Sequence, residues 1–245
     1  ILALLSTLGM MVLVAAANML TLYLGIELMS LPLYALIALK KNKSRCLEAA
    51  LKYFIIGALA TGVLLFGLSF LFALTHTIQF DQIKSALEGA SIHGLAGVSL
   101  ILILVGLLFK LGAVPFHSWV ADVYDGAPNG VTLFLSSAPK VAVMVLFIRL
   151  LEGPLWAIHS HWLIVLETAA VLSIVLGNLS AIVQTSMKRM LAYSSVAHTG
   201  YALLALCAAG AGNPQGFTWA YFYIISYAVM SLGGIGCLVV LSRFG

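Results

Sequence analysis

Charge is what this sequence has least of. Only 8% of its 245 residues are charged, against 62% hydrophobic, whereas a soluble domain carries about 25% charged residues to cover its surface. At a mean hydropathy of +1.12, no soluble packing hides this much apolar surface at this length. That excludes a soluble globular enzyme, a disordered tail and a nucleic-acid-binding module. Cysteine is scarce as well: Cys46, Cys207 and Cys237 lie far apart and form no CxxC pair, so no disulfide framework, zinc site or iron–sulfur cluster is expected. The sequence lacks a Gly-rich phosphate loop, a nucleophile motif and a haem attachment motif, so the chain is expected to hold no cofactor and do no redox chemistry itself. No basic n-region or cleavage site precedes the first apolar run. That run reads as a span rather than a signal peptide, and the sequence as the middle of a longer membrane protein.

What is present is a series of apolar stretches. A helix crossing the hydrocarbon core needs roughly 20 residues. Stretches of about that length cover residues 1–17, 18–39, 46–75, 130–151, 162–184, 190–209 and 217–241, with an interrupted eighth at 94–125. The polar segment 76–93 carries Phe80, Ile83 and Leu87 at helical spacing and reads as a short helix lying on the surface. The alternating ten-residue pattern of a membrane barrel is missing, so the fold class is an all-α polytopic membrane protein of about eight spans.

The loop charges agree with that count. Lys40, Lys41, Lys43 and Arg45 follow the second span, Lys188 and Arg189 the sixth, and Arg243 the eighth, whereas the opposite side collects only Lys84 and Arg149. The basic loops 40–45 and 188–189 are therefore expected on the cytoplasmic side, or its matrix or stromal equivalent.

The interrupted stretch has 32 residues, roughly 48 Å as one straight helix. Pro115 lies inside it and lacks the N–H that would bond the carbonyl of Leu111. The spacing predicts a discontinuous helix: one piece to Val114, a break, and a second piece through His117 and Trp119. Such breaks occur at membrane depth where backbone is buried in protein or lines a wet cavity, and they point to transport pathways. A faint internal repeat accompanies it. Residues 34–39 recur at 201–206, an offset of 167, and Tyr53-Phe54 recurs as Tyr221-Phe222, an offset of 168. On the span count the two copies run in opposite orientations, the inverted-repeat arrangement of many secondary transporters.

Glu27, Lys52, Lys110 and Lys140 fall within spans. A charge at the bilayer centre costs roughly 2.5–3.5 kcal/mol on insertion scales and normally faces a bundle interior or water. Pro32, Pro115 and Pro139 free the carbonyls of Leu28, Leu111 and Leu135 close to three of these charges, and freed carbonyls can hold water or accept from an ammonium. A lysine so placed can load and release a proton, which makes proton relay a concrete expectation. Lys52 has two readings: a snorkelling lysine paired with Glu48 one turn back, or a partner for Glu27. His117 either bridges protons between Lys110 and Lys140 or satisfies freed backbone groups. Tyr193, Ser194, Ser195 and His198 form a polar patch suited to interhelical hydrogen bonding. Asp122, Tyr124 and Asp125 read as a turn that caps and docks the fifth span. His159 and His161 have no third ligand nearby in sequence, so no metal is expected there.

Taken together, these residues resemble a known family. Leu24-Gly25-Ile26-Glu27-Leu28-Met29-Ser30-Leu31-Pro32 and Leu47-Glu48-Ala49-Ala50-Leu51-Lys52-Tyr53 resemble the antiporter-like membrane subunits of respiratory complex I. The run from Lys110 through Pro115 and His117 to Trp119, the run Asp122 to Pro128, and Ala192 to Tyr201 look like the subunit N type within it. The resemblance implies a fourteen-helix antiporter-like fold, with these spans as its helices four to eleven. It implies a first inverted repeat at 1–151 and a truncated second at 152–245. It assigns Glu27 and Lys52 to an interacting pair, Lys110 to the central proton carrier and Lys140 to the onward relay. It places NADH, FMN, iron–sulfur clusters and quinone in other subunits. It implies neighbouring antiporter-like subunits and lipids as partners, in a bacterial inner membrane. A subunit of a stand-alone Mrp-type cation/proton antiporter is the alternative, and a structural spacer a third class.

Overall fold

Lipid tails are as apolar as leucine, so helices in a bilayer associate through close packing and hydrogen bonds rather than through exclusion from water. Small residues decide where that packing is tight. The structure, a computed structural model, describes residues 1–40, 42–88 and 94–242. Lys41, Arg243 and the end of the 76–93 segment lie outside the described residues.

The chain forms α1 (Leu2–Ala15), α2 (Met19–Ile37), α3 (Ser44–Thr75), α4 (Phe80–Glu88), α5 (Gly94–Leu111), α6 (Ser118–Gly126), α7 (Asn129–Glu152), α8 (His159–Ile182), α9 (Met187–Gly210) and α10 (Gly216–Leu241). A single 3-10 turn, Trp156–Ile158, leads into α8. Among the described residues, seven helices are long and apolar enough to cross a membrane, and α1 is a shorter apolar helix. The first apolar run stops early because Asn18 turns the chain, its side chain accepting from Thr21 N at 2.8 Å to cap α2. The surface segment forms α4, with Ile83 and Leu87 buried beneath it. Met19 N donates to Ile78 O, and Phe80 N to Ala17 O. These two bonds fasten the start of α4 to the α1–α2 turn.

Three helix pairs are zipped by reciprocal glycines. A Cβ on Gly9 of α1 would lie 2.3 Å from Met29 N, and one on Gly25 of α2 would lie 2.8 Å from the Leu13 backbone. Gly67 and Gly106 do the same between α3 and α5, and Gly177 and Gly200 between α8 and α9. α7 packs against α1, α2, α5 and α10 at the centre, while α6 packs on α3 and α9. Lys140 on α7 is consequently surrounded by protein.

The interrupted stretch differs from the sequence expectation in where and why it breaks. α5 ends at Leu111, not Val114. Gly112 adopts a left-handed φ of 73°, Gly112 N donates to Phe109 O, and Ala113 N donates to Leu108 O. That is a Schellman C-cap, which ends a helix by itself. Pro115 lies in the non-helical link that follows, and α6 starts only at Ser118, after His117. α5 alone is long enough to count as a span, and α6 is a separate short helix.

Replacing Gly9 or Gly177 by Ala should force its hairpin apart and cost about 1–3 kcal/mol, the usual range for overpacking. Thermal unfolding of the subunit in nanodiscs would show a lowered Tm for each. Gly62→Ala, with nothing within 4 Å of the added Cβ, should leave the Tm unchanged or slightly raised.

Candidate functional site

A break in a buried helix leaves backbone groups that must find partners. Here α8 and α9 supply them. Val114 N donates to Ser173 Oγ at 2.9 Å, and Thr199 Oγ1 lies 3.2 Å from the carbonyl of Leu111 that Pro115 leaves free. Trp119 Nε1 donates back to Phe109 O at 3.0 Å, tying α6 to the end of α5.

The two lysines beside this break are buried, Lys110 at 6% exposure and Lys140 at 2%. Lys110 Nζ donates to Ser30 Oγ of α2 at 2.8 Å and sits 6.0 Å from the centroid of the Tyr34 ring. Ser30 Oγ in turn donates to Ile26 O at 2.7 Å. Lys140 Nζ donates to Ser195 Oγ at 3.0 Å, Ser195 O at 3.3 Å and Thr199 Oγ1 at 3.4 Å, all on α9, and lies 5.6 Å from the Tyr227 ring centroid. Thr199 thus serves both the broken backbone and Lys140. Among the described residues, neither ammonium has a carboxylate within 4.0 Å. Hydroxyls on neighbouring helices hold both, rather than the proline-freed carbonyls expected from the sequence. A lysine side chain is long enough to reach across to the next helix, and the freed carbonyl of Leu111 is already taken by Thr199.

Glu27 is half-buried on α2, within electrostatic reach of Lys110 and Tyr34. The expected Glu27–Lys52 ion pair is not made at bonding distance. Lys52 instead bonds Glu48 at 2.8 Å and Asp122 at 3.1 Å, and Asp122 also accepts from Arg189 at 2.8 Å. The reason is depth: Lys52 is two turns into α3, level with α6 and the start of α9. Asp122 and Asp125 lie within α6 rather than in a turn, and the residue before α7 is Pro128, with no side-chain cap. Their docking role remains: Ser186 Oγ donates to Asp125 Oδ1 at 2.9 Å, and Lys188 Nζ donates to Ala127 O at 2.9 Å. His117 is half-buried, its Nδ1 is enclosed without a hydrogen-bond partner, and among the described bonds it touches neither lysine. His198 Nδ1 pairs with Tyr223 Oη at 2.7 Å, joining α9 to α10.

The ion pairs line a polar cavity of about 260 Å³ bounded by Arg45, Glu48, Lys52, Asp122, Asp125 and Arg189. A second crevice, about 200 Å³, opens between α9 and α10 beside Lys140, with Ser194, Ser195, His198, Tyr227 and Ser231 in its walls. The sequence reading passed over Ser30, Ser173 and Thr199. One signal was available for Thr199: it stands four residues after Ser195, which puts both hydroxyls on one face of α9.

Burial disfavours the charged carboxyl of Asp122, yet the Arg189 and Lys52 cations bonded to it hold it below the usual carboxylate range. A depressed folded value means the stabilisation is full above the unfolded value, about pH 3.9, and is lost as pH falls through the folded one. Asp122→Asn should therefore lower stability near neutral pH, with the half-exposed Arg189 pair contributing about 0.2–1 kcal/mol. The difference from the unsubstituted chain should shrink as pH drops below about 4. Urea unfolding of both forms across that pH range checks it.

Comparison with known proteins matches this geometry to a family. The sequence model described as "NADH:quinone oxidoreductase/Mrp antiporter, TM" matches residues 16–243. NADH-quinone oxidoreductase subunit N of Coxiella burnetii is 49% identical over all of this chain, and that of Methylovorus glucosotrophus is 47% identical over all of it. The chain spans about half the length of these curated relatives, 51% and 50%. Among solved structures, a chain of respiratory complex I from Thermus thermophilus superposes with a TM-score of 0.76 at 35% identity, covering 94% of this chain and 49% of that one. A chain of the Mrp complex from Dietzia superposes at 0.86 and 24% identity, covering 94% and 42%, a likeness of fold alone. The family model covers most of the chain, residues 16–243, and so do these relatives: the chain belongs to the NADH:quinone oxidoreductase/Mrp antiporter transmembrane family.

Proposed function

We propose that this chain is part of a proton-translocating, antiporter-like subunit of an NADH–quinone oxidoreductase, working without a redox centre of its own. NADH oxidation, with its FMN and iron–sulfur clusters, and quinone reduction take place in other subunits. The observation that carries the reading is the pair of buried lysines, Lys110 at the end of α5 just before the break and Lys140 on α7, whose described bonds go to hydroxyls and backbone. A buried ammonium without a bonded carboxylate is costly to keep for packing. A path that must carry a proton has a use for it.

In this reading Lys110 is the central carrier and Lys140 the onward relay. Glu27 acts on Lys110 through space, and the Lys52–Asp122–Arg189 bridge sits at the mouth of the polar cavity where protons enter. His117 stays available as a bridge through its unpartnered Nδ1. The basic ends of α3 and α9 meet at Asp122 of α6, which supports placing loops 40–45 and 188–189 together on the cytoplasmic face. The division into a first repeat at 1–151 and part of a second at 152–245 gains support from packing. The Gly9 approach to Met29 N recurs 168 positions later as the Gly177 approach to Ala197 N, the same offset as Tyr53 to Tyr221. The neighbours of the subunit would be other antiporter-like membrane subunits and lipid.

In the full-length subunit within its complex, Lys110→Ala should lower protons pumped per NADH more than it disturbs assembly. Unchanged pumping in a fully assembled complex would refute the carrier role and favour a structural spacer. The fold likeness to the Mrp complex supports a second reading, a stand-alone cation/proton antiporter subunit. Proton movement in vesicles without NADH, driven by a sodium gradient, would favour that one.

A further inference from the structure

A hydroxyl carries one hydrogen, so it donates once however many acceptors surround it. Thr199 of α9 has two carbonyls in range, Ser195 O at 2.9 Å and Leu111 O at 3.2 Å, and the ammonium of Lys140 at 3.4 Å. Leu111 is buried and is the last residue of α5, directly after Lys110. Pro115 has no N–H to give the Leu111 carbonyl, and among the described bonds Thr199 is its one partner. Which carbonyl receives the single hydrogen of Thr199 therefore decides whether the end of α5 is held.

Lys140 settles that choice. A charged lysine has three N–H donors and no acceptor. Three acceptors stand around its Nζ: Ser195 Oγ at 3.0 Å, Ser195 O at 3.3 Å and Thr199 Oγ1 at 3.4 Å. Donors and acceptors match one to one. With Ser195 O taken by the ammonium, the Thr199 hydrogen is left for Leu111 O. A neutral Lys140 has two N–H groups and a lone pair that needs a donor. The Ser195 hydroxyl already donates to Ala192 O at 2.7 Å. Tyr227 of α10 meets Lys140 with its ring, and the described bond of His198 goes to Tyr223. The Thr199 hydrogen then turns to the lone pair, or to Ser195 O once the lysine no longer fills it. Either way Leu111 O loses its donor.

We propose that Thr199 is a positioning residue that couples the charge on Lys140 to the end of α5 beside Lys110. A charged Lys140 keeps Leu111 O bonded and the break closed. A neutral Lys140 releases that carbonyl, and a buried carbonyl without a donor takes water, so the break opens. The inference rests on the proton-translocation reading above. Its consequence is direction: the break opens beside Lys110 only while Lys140 is empty, and closes behind the proton that fills it. In that step one N–H bond of Lys110 breaks and one N–H bond of Lys140 forms, and nothing is oxidised or reduced. The new N–H of Lys140 restores the match with its three acceptors, and the Thr199 hydrogen returns to Leu111 O.

The test uses the full-length subunit in the assembled complex, with Thr199→Val, Thr199→Ser, Lys140→Met and the Thr199→Val/Lys140→Met double variant. Deuterium exchange at the amides of Gly112, Ala113 and Val114, followed by mass spectrometry, reads the opening of the break. Protons moved per NADH read its consequence. Exchange should be roughly 2- to 10-fold faster in Thr199→Val and in Lys140→Met, the factor that one lost hydrogen bond carries, with no further rise in the double variant. Thr199→Ser keeps the hydroxyl and should exchange and pump as the unsubstituted complex does, while Thr199→Val pumps less. Unchanged exchange in either single variant, or increments that multiply in the double variant, overturns the coupling. Pumping lost in Lys140→Met alongside that result leaves the translocation reading standing, whereas full pumping in Lys140→Met overturns both. Should Thr199→Val fail to assemble, Lys140→Met decides alone, faster exchange supporting the coupling and unchanged exchange overturning it.

Discussion

An ammonium taken out of water needs donors satisfied on every side, and a carboxylate is the usual answer. At Lys110 and Lys140 the answer is hydroxyl groups borrowed from other helices. This constraint organises the centre of the molecule. Lys110 on α5 reaches Ser30 of α2, and Lys140 on α7 reaches Ser195 and Thr199 of α9, so the helix arrangement must leave each long side chain within reach of a hydroxyl on a helix other than its own. Thr199 adds a second condition, since it also sits on the carbonyl left free where α5 stops. The break and the buried charge are thus held by one side chain, and neither is arranged independently of the other.

The scaffold meets those conditions with small residues. The reciprocal glycines of α1–α2, α3–α5 and α8–α9 bring backbones nearly into contact, which fixes helix spacing without any help from water. On the rigid pairs so formed, serine and threonine hydroxyls are delivered to set positions. At the end carrying the basic loops, a different chemistry takes over. Half-exposed ion pairs join α3, α6 and α9 around a polar cavity, where solvent weakens each pair. Tight packing at depth, with two lysines held by hydroxyls, and looser ion-paired packing at the edge suit a protein that would admit protons from one face and hold them inside.

Much of this was legible in the sequence because the bilayer simplifies the reading: apolar length gave the spans, and misplaced charges gave the candidate lysines. The break was also legible, though its cause was misassigned. Pro115 drew the attention, while Gly112, standing directly after the last helical residue, is what ends α5. Lys52 was harder. Its local partner Glu48 is visible at four residues' spacing, but Asp122 is brought to it from 70 residues away by the docking of α6 on α3, which no periodicity encodes. Ser30 and Thr199 were hidden for another reason. Serine and threonine in a membrane helix commonly bond their own backbone, as Ser30 does to Ile26 and Thr199 to Ser195, so their type says little about what else they hold.

The claim at the centre of this account is that Lys110 and Lys140 change protonation state as the complex turns over. Time-resolved infrared difference spectroscopy of the assembled complex, with isotopically labelled lysine, observes that directly. The account predicts ammonium bands that convert to amine bands during NADH oxidation, with one component missing in Lys110→Met and another in Lys140→Met. Turnover and proton pumping with both lysines fixed in a single protonation state throughout would contradict it.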